Sequence, residues 1–300
     1  MILILSNNKE ADTKSVIRWL LKLNKKFIRV HENEYFEIKI YDRKIFLQST
    51  RNSFFLNEIS SIWYRRGGLK FKRLTYMNES VHLHMNETQH WLEDYVLKTL
   101  DSKKHINKQL NSQVNKLIVL EKAKEAGLQV PPYYLSENTD GMQLGKTIVK
   151  PITGNPNLVN IKENSDGVMY TAVITEYEEN FFISFFQKKI KKDFEIRTFY
   201  LNGKCWSMSI FSQNDKQTEV DYRKYNDKKP NRNVPYNLPP IIEKKIDHLM
   251  KSMDLNCGSI DFIKSGRRYY FLEINPVGQF MHLSNCCNYF LDKKIAEFLS

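Results

Sequence analysis

Long apolar runs are missing from this 300-residue chain; none approaches the roughly 20 residues that span a bilayer. The opening MILILSNNKE is too short, and meets an acid too early, for a secretory signal; it reads as a first buried strand. Cysteine is scarce. Cys205, Cys257, Cys286 and Cys287 show no paired CxxC spacing, so the expected state is reduced thiols in a cytoplasmic protein. The adjacent Cys286 and Cys287 read as helix packing ahead of redox chemistry, because free cysteine is commonly buried. A zinc site is not spelled out either: His82, His84 and His90 in VHLHMNETQH lack a fourth ligand and a better-spaced pair. Acid is short relative to base, 34 residues against 46, giving a net charge of +12. Such a field draws acidic partners. Nucleic acid would answer to it, and so would a nucleotide with a carboxylate-rich peptide; charge alone does not choose. At 41% apolar and 27% charged the balance is that of an ordinary globular protein, with room for two or three subdomains.

What is present centres on residues 257–279, CGSIDFIKSGRRYYFLEINPVGQ. Residues 259–264 and 268–275 are rich in β-branched and aromatic side chains, and Ser265-Gly266 supplies turn chemistry, so the stretch reads as a β-hairpin. Asp261, Glu273 and Asn275 are unusual in it. Glu273 and Asn275 point the same way by strand alternation. An odd-numbered loop, or a bulge at Gly266, would pair Asp261 with Phe271 and bring all three oxygens to one face. Two carboxylates and an amide there repel unless a cation sits between them, and Mg²⁺ suits so small a set of hard oxygens. The alternative is a strand-end Asp261 and a Glu273 paired with Arg267 or Arg268; the pattern alone leaves both open.

Along the chain, residues 1–6 read as a strand, 13–23 as an amphipathic helix and 27–30 as a second strand, so α/β layering opens the fold. Short strands follow at 37–40, 44–47 and 59–66, the last ending Trp-Tyr-Arg-Arg-Gly-Gly. Residues 61–78 hold five basic side chains and no acidic one, and Arg65 and Arg66 at a strand end beside glycines favour anion contact. A long helix is expected over 87–100 and a polar linker over 98–111. Residues 115–126 read as a helix stopped by Gly127, and 147–150 as a strand ending in Lys150-Pro151. The apolar strand 182–187 precedes the lysine run 188–192, a nucleic-acid patch or a solvated face. Arg197, on a strand among Ile196, Phe199 and Leu201, is hard to explain as packing. Asn202-Gly203 signals a hairpin, and residues 231–240 a proline-rich turn into a helix over 241–253.

The exit Glu273-Ile-Asn275-Pro-Val-Gly-Gln279 resembles that of the ATP-grasp superfamily, whose last domain carries Asp, a hairpin, then Glu-x-Asn-Pro. Within it the chain resembles the ligases that modify ribosomal peptides into graspetides. The Gln-Phe…Cys-Asn-Tyr ending resembles the "grasp-with-spasm" branch, paired with SPASM-domain partners. The likeness covers most of the chain and is strongest from about Asn115. It includes the Trp-Tyr-Arg-Arg strand end, the entry NKLIVLEKAKEAGLQVPPYYL, the Asp193-Phe-Glu195-Ile-Arg197 strand and the Asp221-Tyr-Arg223 segment.

The resemblance implies an α/β ATP-grasp fold with an N-terminal α/β domain (1–110), a central subdomain (111–190) and a C-terminal subdomain with the Mg-binding hairpin (191–300), ATP lying between the last two. Lys116 and Lys150 would contact the nucleotide, and Gln187, Lys189 and Ile190 would form the hinge at the adenine edge. The loop after Lys150 departs from the family's pattern: it holds one glycine, Gly154, with Asn155, Pro156 and Asn157, and Thr153 and Asn155 could donate to phosphate. Asp261, Glu273 and Asn275 would hold Mg²⁺. Arg197 would meet the transferring phosphoryl group, and Arg223 the acyl-phosphate or the acceptor. Arg65, Arg66 and Arg223 would bind an acidic precursor peptide. The implied reaction activates a side-chain carboxylate as an acyl-phosphate, which a hydroxyl or amine of the same peptide displaces to close a ring. An intermolecular ligase that adds an amino acid to a peptide or protein is the second reading. A non-catalytic nucleic-acid binder is the third; it lacks an interleaved aromatic-basic motif and leaves the acidic residues unexplained. No membrane partner is expected, and homo-oligomerisation stays open.

Overall fold

The computed structural model describes residues 1–7, 10–111, 113–153, 157–162, 165–213, 215, 218–224, 226 and 228–300, with backbone alone for 157–162 and 165–168. It divides into two units, Met1–Ser112 with Phe290–Ser300, and Gln113–Tyr289.

The first unit begins with β1 (Ile2–Ser6), α1 (Ala11–Lys22) and β2 (Phe27–His31). A meander of β3 (Tyr35–Tyr41), β4 (Lys44–Gln48) and β5 (Ser53–Phe55) follows, then β6 (Ser61–Tyr64), β7 (Lys70–Phe71), α2 (Glu79–Asp101) and β8 (Lys104–Ile106). β1 is buried along its whole length, as a central strand of a parallel sheet must be. The sheet order is β2-β1-β6-β8, all parallel. Part of the expected linker is therefore a strand: β8 pairs with β6 through Ile106, which is buried.

The second unit contains α3 (Lys116–Glu125), β9 (Tyr133–Ser136), β10 (Thr147–Lys150), β11 (Asn157–Lys162), β12 (Ser165–Val168), β13 (Ala172–Val173) and β14 (Ser184–Lys188). Then come β15 (Phe194–Leu201), β16 (Lys204–Phe211), β17 (Arg232–Tyr236), α4 (Pro240–Ser252), β18 (Cys257–Ser265), β19 (Arg268–Asn275) and α5 (Met281–Cys287). One antiparallel sheet runs β13-β10-β14-β9 and another β17-β16-β15-β18-β19. The final helix, α6 (Leu291–Leu299), belongs to the first unit, where Leu299 O accepts a 2.6 Å bond from Ser61 Oγ; residues 290–300 thus leave the expected C-terminal subdomain.

Local chemistry explains the elements around the site. Asn115 caps α3 by accepting from Leu117 N and Ile118 N, and Gly127 closes it at φ +77°. Asn202 and Gly203, both at positive φ, make the two-residue turn between β15 and β16. Residues 232–236 are an edge strand where a turn was expected. Pro235 is tolerated because only an edge can spare its missing N–H. One face of the five-stranded sheet, with Ile196, Tyr200, Ile260 and Phe262, packs with Ile246, Leu249 and Met250 of α4 and Leu120 of α3 in a buried core. That face fixes the sheet; the opposite face carries Arg197, Asp261 and Glu273 alongside the buried Phe199, Met208 and Ile210.

The hairpin register differs in mechanism from the expected one. Its turn is the two-residue Gly266-Arg267 between the paired Ser265 and Arg268. Phe262 pairs with Phe271, and one extra residue, Leu272, then bulges so that Asp261 pairs with Glu273 and Ser259 with Asn275. The bulge sits at Leu272, not Gly266, and it is what brings the three oxygen-bearing residues to one face. Just beyond, a Cβ on Gly278 would lie 2.5 Å from Ser259 Cβ and 3.1 Å from Asn275 O. Gly278→Ala is therefore expected to destabilise the fold by about 1–3 kcal/mol in urea unfolding. An unchanged midpoint would show that the loop yields freely.

Candidate active site

The face of the five-stranded sheet opposite that core carries a row of charges. Arg197 on β15 stands opposite Asp261 on β18, which stands opposite Glu273 on β19. Arg197 Nη1 donates to both Asp261 carboxylate oxygens at 3.1 Å and to Tyr222 Oη at 3.0 Å; Nη2 donates to Gln279 O at 3.3 Å. Burial works against the guanidinium's charge, but Asp261, Tyr222 and Glu273 outweigh it and hold the proton above its ordinary range. Asp261 is raised as well, which for a carboxyl favours the neutral form. Burial raises its pKa, and Arg197 opposes that only in part.

Around Glu273 the charges come from loops and α3. Lys116 Nζ, in the first turn of α3, lies 3.2 Å from Glu273 Oε2 and donates to Pro151 O at 2.9 Å. Arg223 Nη1 lies 3.9 Å from Glu273 Oε1. Burial would raise the Glu273 pKa, yet Lys116, Lys150 and Arg223 together bring it below its ordinary value. Lys150 at the end of β10 is disfavoured as a cation by burial, with Lys116 and Arg223 adding to that and Glu273 resisting. Among the described residues its ammonium has no hydrogen-bonding partner. Arg223 is held by a fork: Nε to Asp221 Oδ1 at 2.8 Å and Nη2 to Oδ2 at 2.7 Å. Burial opposes ionisation of Asp221, but Arg223 and the Thr171 N–H lower its pKa to about 2.

The structure thus gathers Lys116, Lys150, Arg197, Arg223, Asp261 and Glu273. Glu273 pairs with Lys116 and Arg223, not with Arg267 or Arg268. Asn275 shares the face but is exposed, and its Oδ1 accepts from Val277 N at 3.1 Å. Among the described residues no three His, Cys, Asp or Glu gather as a metal cluster. The donor set of Asp261, Glu273 and the Asn275 amide oxygen nevertheless fits Mg²⁺, which takes one or two carboxylates and completes its shell elsewhere. Gln187 is buried on β14 opposite Ile148, and Lys189 N donates to Lys146 O at 2.8 Å. The half-buried Ile190 makes no backbone N–H bond among the described residues. Thr153 is exposed; Gly154, Asn155 and Pro156 lie outside the described residues, as does Tyr225.

Arg65 and Arg66 belong to the first unit. Arg65 is 3% exposed, with Nε 2.8 Å from Glu10 Oε1 and Nη2 3.4 Å from Asp12 Oδ2. Arg66 shares Glu10 at 3.2 Å but stays accessible. Of the two, Arg66 is the one presented to solvent. Sequence reasoning missed the partners of the cations: Tyr222 on Arg197, Asp221 on Arg223, and the buried Glu195 carboxyl beside Lys192. Asp221 and Tyr222 flank Arg223 inside a segment already singled out, so the signal was there.

Glu195 lies two residues before Arg197 and faces the same way. Burial raises its pKa to about 7 from 4.5, with Lys192 opposing. The folded state therefore holds this proton where the unfolded chain has lost it. The stabilisation is full below pH ~4.5 and is lost as pH rises through about 7. Glu195→Gln should gain on the parent protein between pH 5 and pH 8 in urea unfolding; a constant gap would contradict the buried, protonated carboxyl.

No family model matches the sequence, and no curated protein does. Solved structures do. Macrocyclase MdnC from Microcystis aeruginosa MRC, bound with precursor peptide MdnA, is 24% identical with a TM-score of 0.75, covering 100% of this chain and 99% of that one. A Chryseobacterium gregarium RiPP-associated ATP-grasp ligase, in complex with ADP and a leader and core peptide, is 22% identical with a TM-score of 0.77, covering 99% and 96%. D-alanine–D-alanine ligase from Bacillus anthracis, complexed with ATP, is 12% identical with a TM-score of 0.53, covering 99% and 94%. The likeness runs end to end, and the fold of this chain is the ATP-grasp fold.

Proposed function

We propose that the chain is an ADP-forming ligase that activates side-chain carboxylates of an acidic ribosomal precursor peptide as acyl-phosphates and joins them to hydroxyl or amine side chains of the same peptide. The observation that carries this reading is the meeting of Lys116, Lys150, Arg197 and Arg223 around the carboxylates of Asp261 and Glu273. Four cations beside two carboxylates suit a polyphosphate with its divalent ion far better than they suit each other. The peptide-bound state of MdnC, and the ADP- and peptide-bound state of the Chryseobacterium gregarium ligase, support the substrate class.

Lys116, Lys150 and Thr153 would bind the phosphates, and Gln187, Lys189 and Ile190 the adenine, with the unengaged Ile190 N–H as a donor to the ring edge. Mg²⁺, held by Asp261, Glu273 and Asn275, would supply charge neutralisation at the phosphate oxygens. Without nucleotide, Arg197 and Lys116 act as counter-charges to those two carboxylates. In turnover Arg197 stabilises the charge spreading on the transferred group. Arg223, its fork set by Asp221, orients the carboxylate or its acyl-phosphate, with Arg66, and Arg65 behind it, assisting peptide capture. No protein nucleophile is needed. Cys287 is buried and its thiol is pushed up to about 11, which argues against one there. The four free cysteines fit the cytoplasm, and a SPASM-domain enzyme would be the partner of this branch. No helix among the described residues is long and apolar enough to cross a membrane.

The test is an acidic, Ser/Thr-rich peptide encoded beside this chain, incubated with ATP and Mg²⁺. Ring closure appears as loss of one water per ring, with ADP released. Arg197→Ala is expected to slow ADP formation by about 10²–10³-fold, and Arg223→Lys to impair ring closure while ATP binding holds, because an ammonium cannot replace the fork. A gain of mass instead of water loss would assign an intermolecular ligase. Absence of ADP formation with any acidic peptide, together with co-purified RNA, would reject the ligase reading.

A further inference from the structure

Helix α5 follows directly on the 275–279 exit, and one side of it is committed to the interior: Leu283, Ser284 and Cys287 are buried. The other side faces water. His282 and Cys286, four residues apart and so on one face, are both exposed. The expectation of helix packing thus holds for Cys287 and fails for Cys286. The two exposed side chains meet each other instead. Cys286 Sγ lies 3.8 Å from His282 Nε2 and 3.9 Å from Nδ1, within reach of a sulfur hydrogen bond. The ring is also held from the edge strand β17, where the Asn233 amide bonds His282 Nε2 at 3.1 Å. An amide offers either an N–H or an oxygen, so Asn233 serves the ring both neutral and protonated. A nucleophile, a base and a group that holds the base therefore stand in line, the arrangement that activates a thiol.

The other three thiols are unsuited to that chemistry. Burial pushes Cys205 up to about 12, with Glu243 and Asp247 adding to it, and Cys287 up to about 11; Cys257 is buried as well. Cys287 cannot close a bond with its neighbour. Adjacent Cα atoms stand about 3.8 Å apart, short of the ~4.4–6.8 Å that a disulfide spans, and one thiol is buried where the other is exposed. A sulfur partner for Cys286 therefore comes from outside the chain. A small disulfide reaches an exposed thiol without moving the helix, and an acidic one suits a net charge of +12. We propose that Cys286, with His282 as its base and Asn233 holding the ring, is a site of reversible S-thiolation by a low-molecular-weight disulfide of the glutathione class. His282 takes the thiol proton, and Sγ attacks one sulfur of the disulfide. The S–S bond breaks, and the leaving thiolate takes that proton and departs as the free thiol. One thiol and one disulfide give one mixed disulfide and one thiol, with no further oxidant. Neither nucleotide nor peptide takes part, so this chemistry stands apart from the ligase reading.

Incubation of the full chain with glutathione disulfide near neutral pH, followed by intact and peptide mass spectrometry, tests the site. One glutathionyl group is expected on Cys286, released by dithiothreitol, lost in Cys286→Ala and kept in Cys287→Ala. His282→Ala should slow its formation about tenfold, because an unassisted thiol is mostly protonated near neutral pH, while thermal unfolding stays unchanged. Asn233→Ala should slow it less, since the ring remains but is no longer held. No adduct, or an adduct on another cysteine, would overturn the proposal. So would an adduct that forms on Cys286 at the parent rate in His282→Ala.

Discussion

The row Arg197–Asp261–Glu273 confronts the fold with one electrostatic constraint: three charges on neighbouring strands, largely withdrawn from water, each needing an opposite charge within reach. Breaking such a pair by removing one partner costs about 3–5 kcal/mol, because the survivor stays buried and uncompensated. The chain meets the constraint from outside the sheet. α3 brings Lys116, the end of β10 brings Lys150, and the 221–223 segment brings Arg223 already forked to Asp221. These elements converge on Glu273 because two carboxylates side by side on β18 and β19 would otherwise repel.

Under the proposed reading one site would hold two states. Without ligand, Arg197 and Lys116 face Asp261 and Glu273, and the Lys150 ammonium has no hydrogen-bonding partner among the described residues. A nucleotide with its divalent ion would bring phosphate oxygens for the cations and a metal for the carboxylates. Asp261, pushed up by burial, and Glu273, pulled below its ordinary range by three cations, divide the pair into an easily protonated and a firmly ionised member. Gly278 and the 275–279 exit complete the frame by setting Gln279 O against Arg197 Nη2.

Much of this was legible in the sequence. Alternation put Glu273 and Asn275 on one face, and the Asn202-Gly203 turn and the Gly127 stop are written in φ-permissive residues. The need to bring Asp261 to that face was legible too, but the device was not. The Leu272 bulge has no signature of its own, because Leu suits a regular strand equally well. Local pattern also misplaced β8 and β17: Lys104-His105-Ile106 is too short and polar to announce a strand, and Pro235 reads as a turn until its edge position is known. The depth of Arg65 was hidden for a related reason. Its partners, Glu10 and Asp12, lie more than fifty residues away.

The most direct measurement is ADP affinity by calorimetry with and without Mg²⁺, in the parent protein and in Asp261→Asn. If Asp261 and Glu273 form the metal edge of a nucleotide site, Mg²⁺ strengthens binding in the parent protein and that gain is lost in the variant, while metal-free affinity is retained. An equal Mg²⁺ gain in both proteins would contradict the assignment of the charged row as the phosphate and metal site.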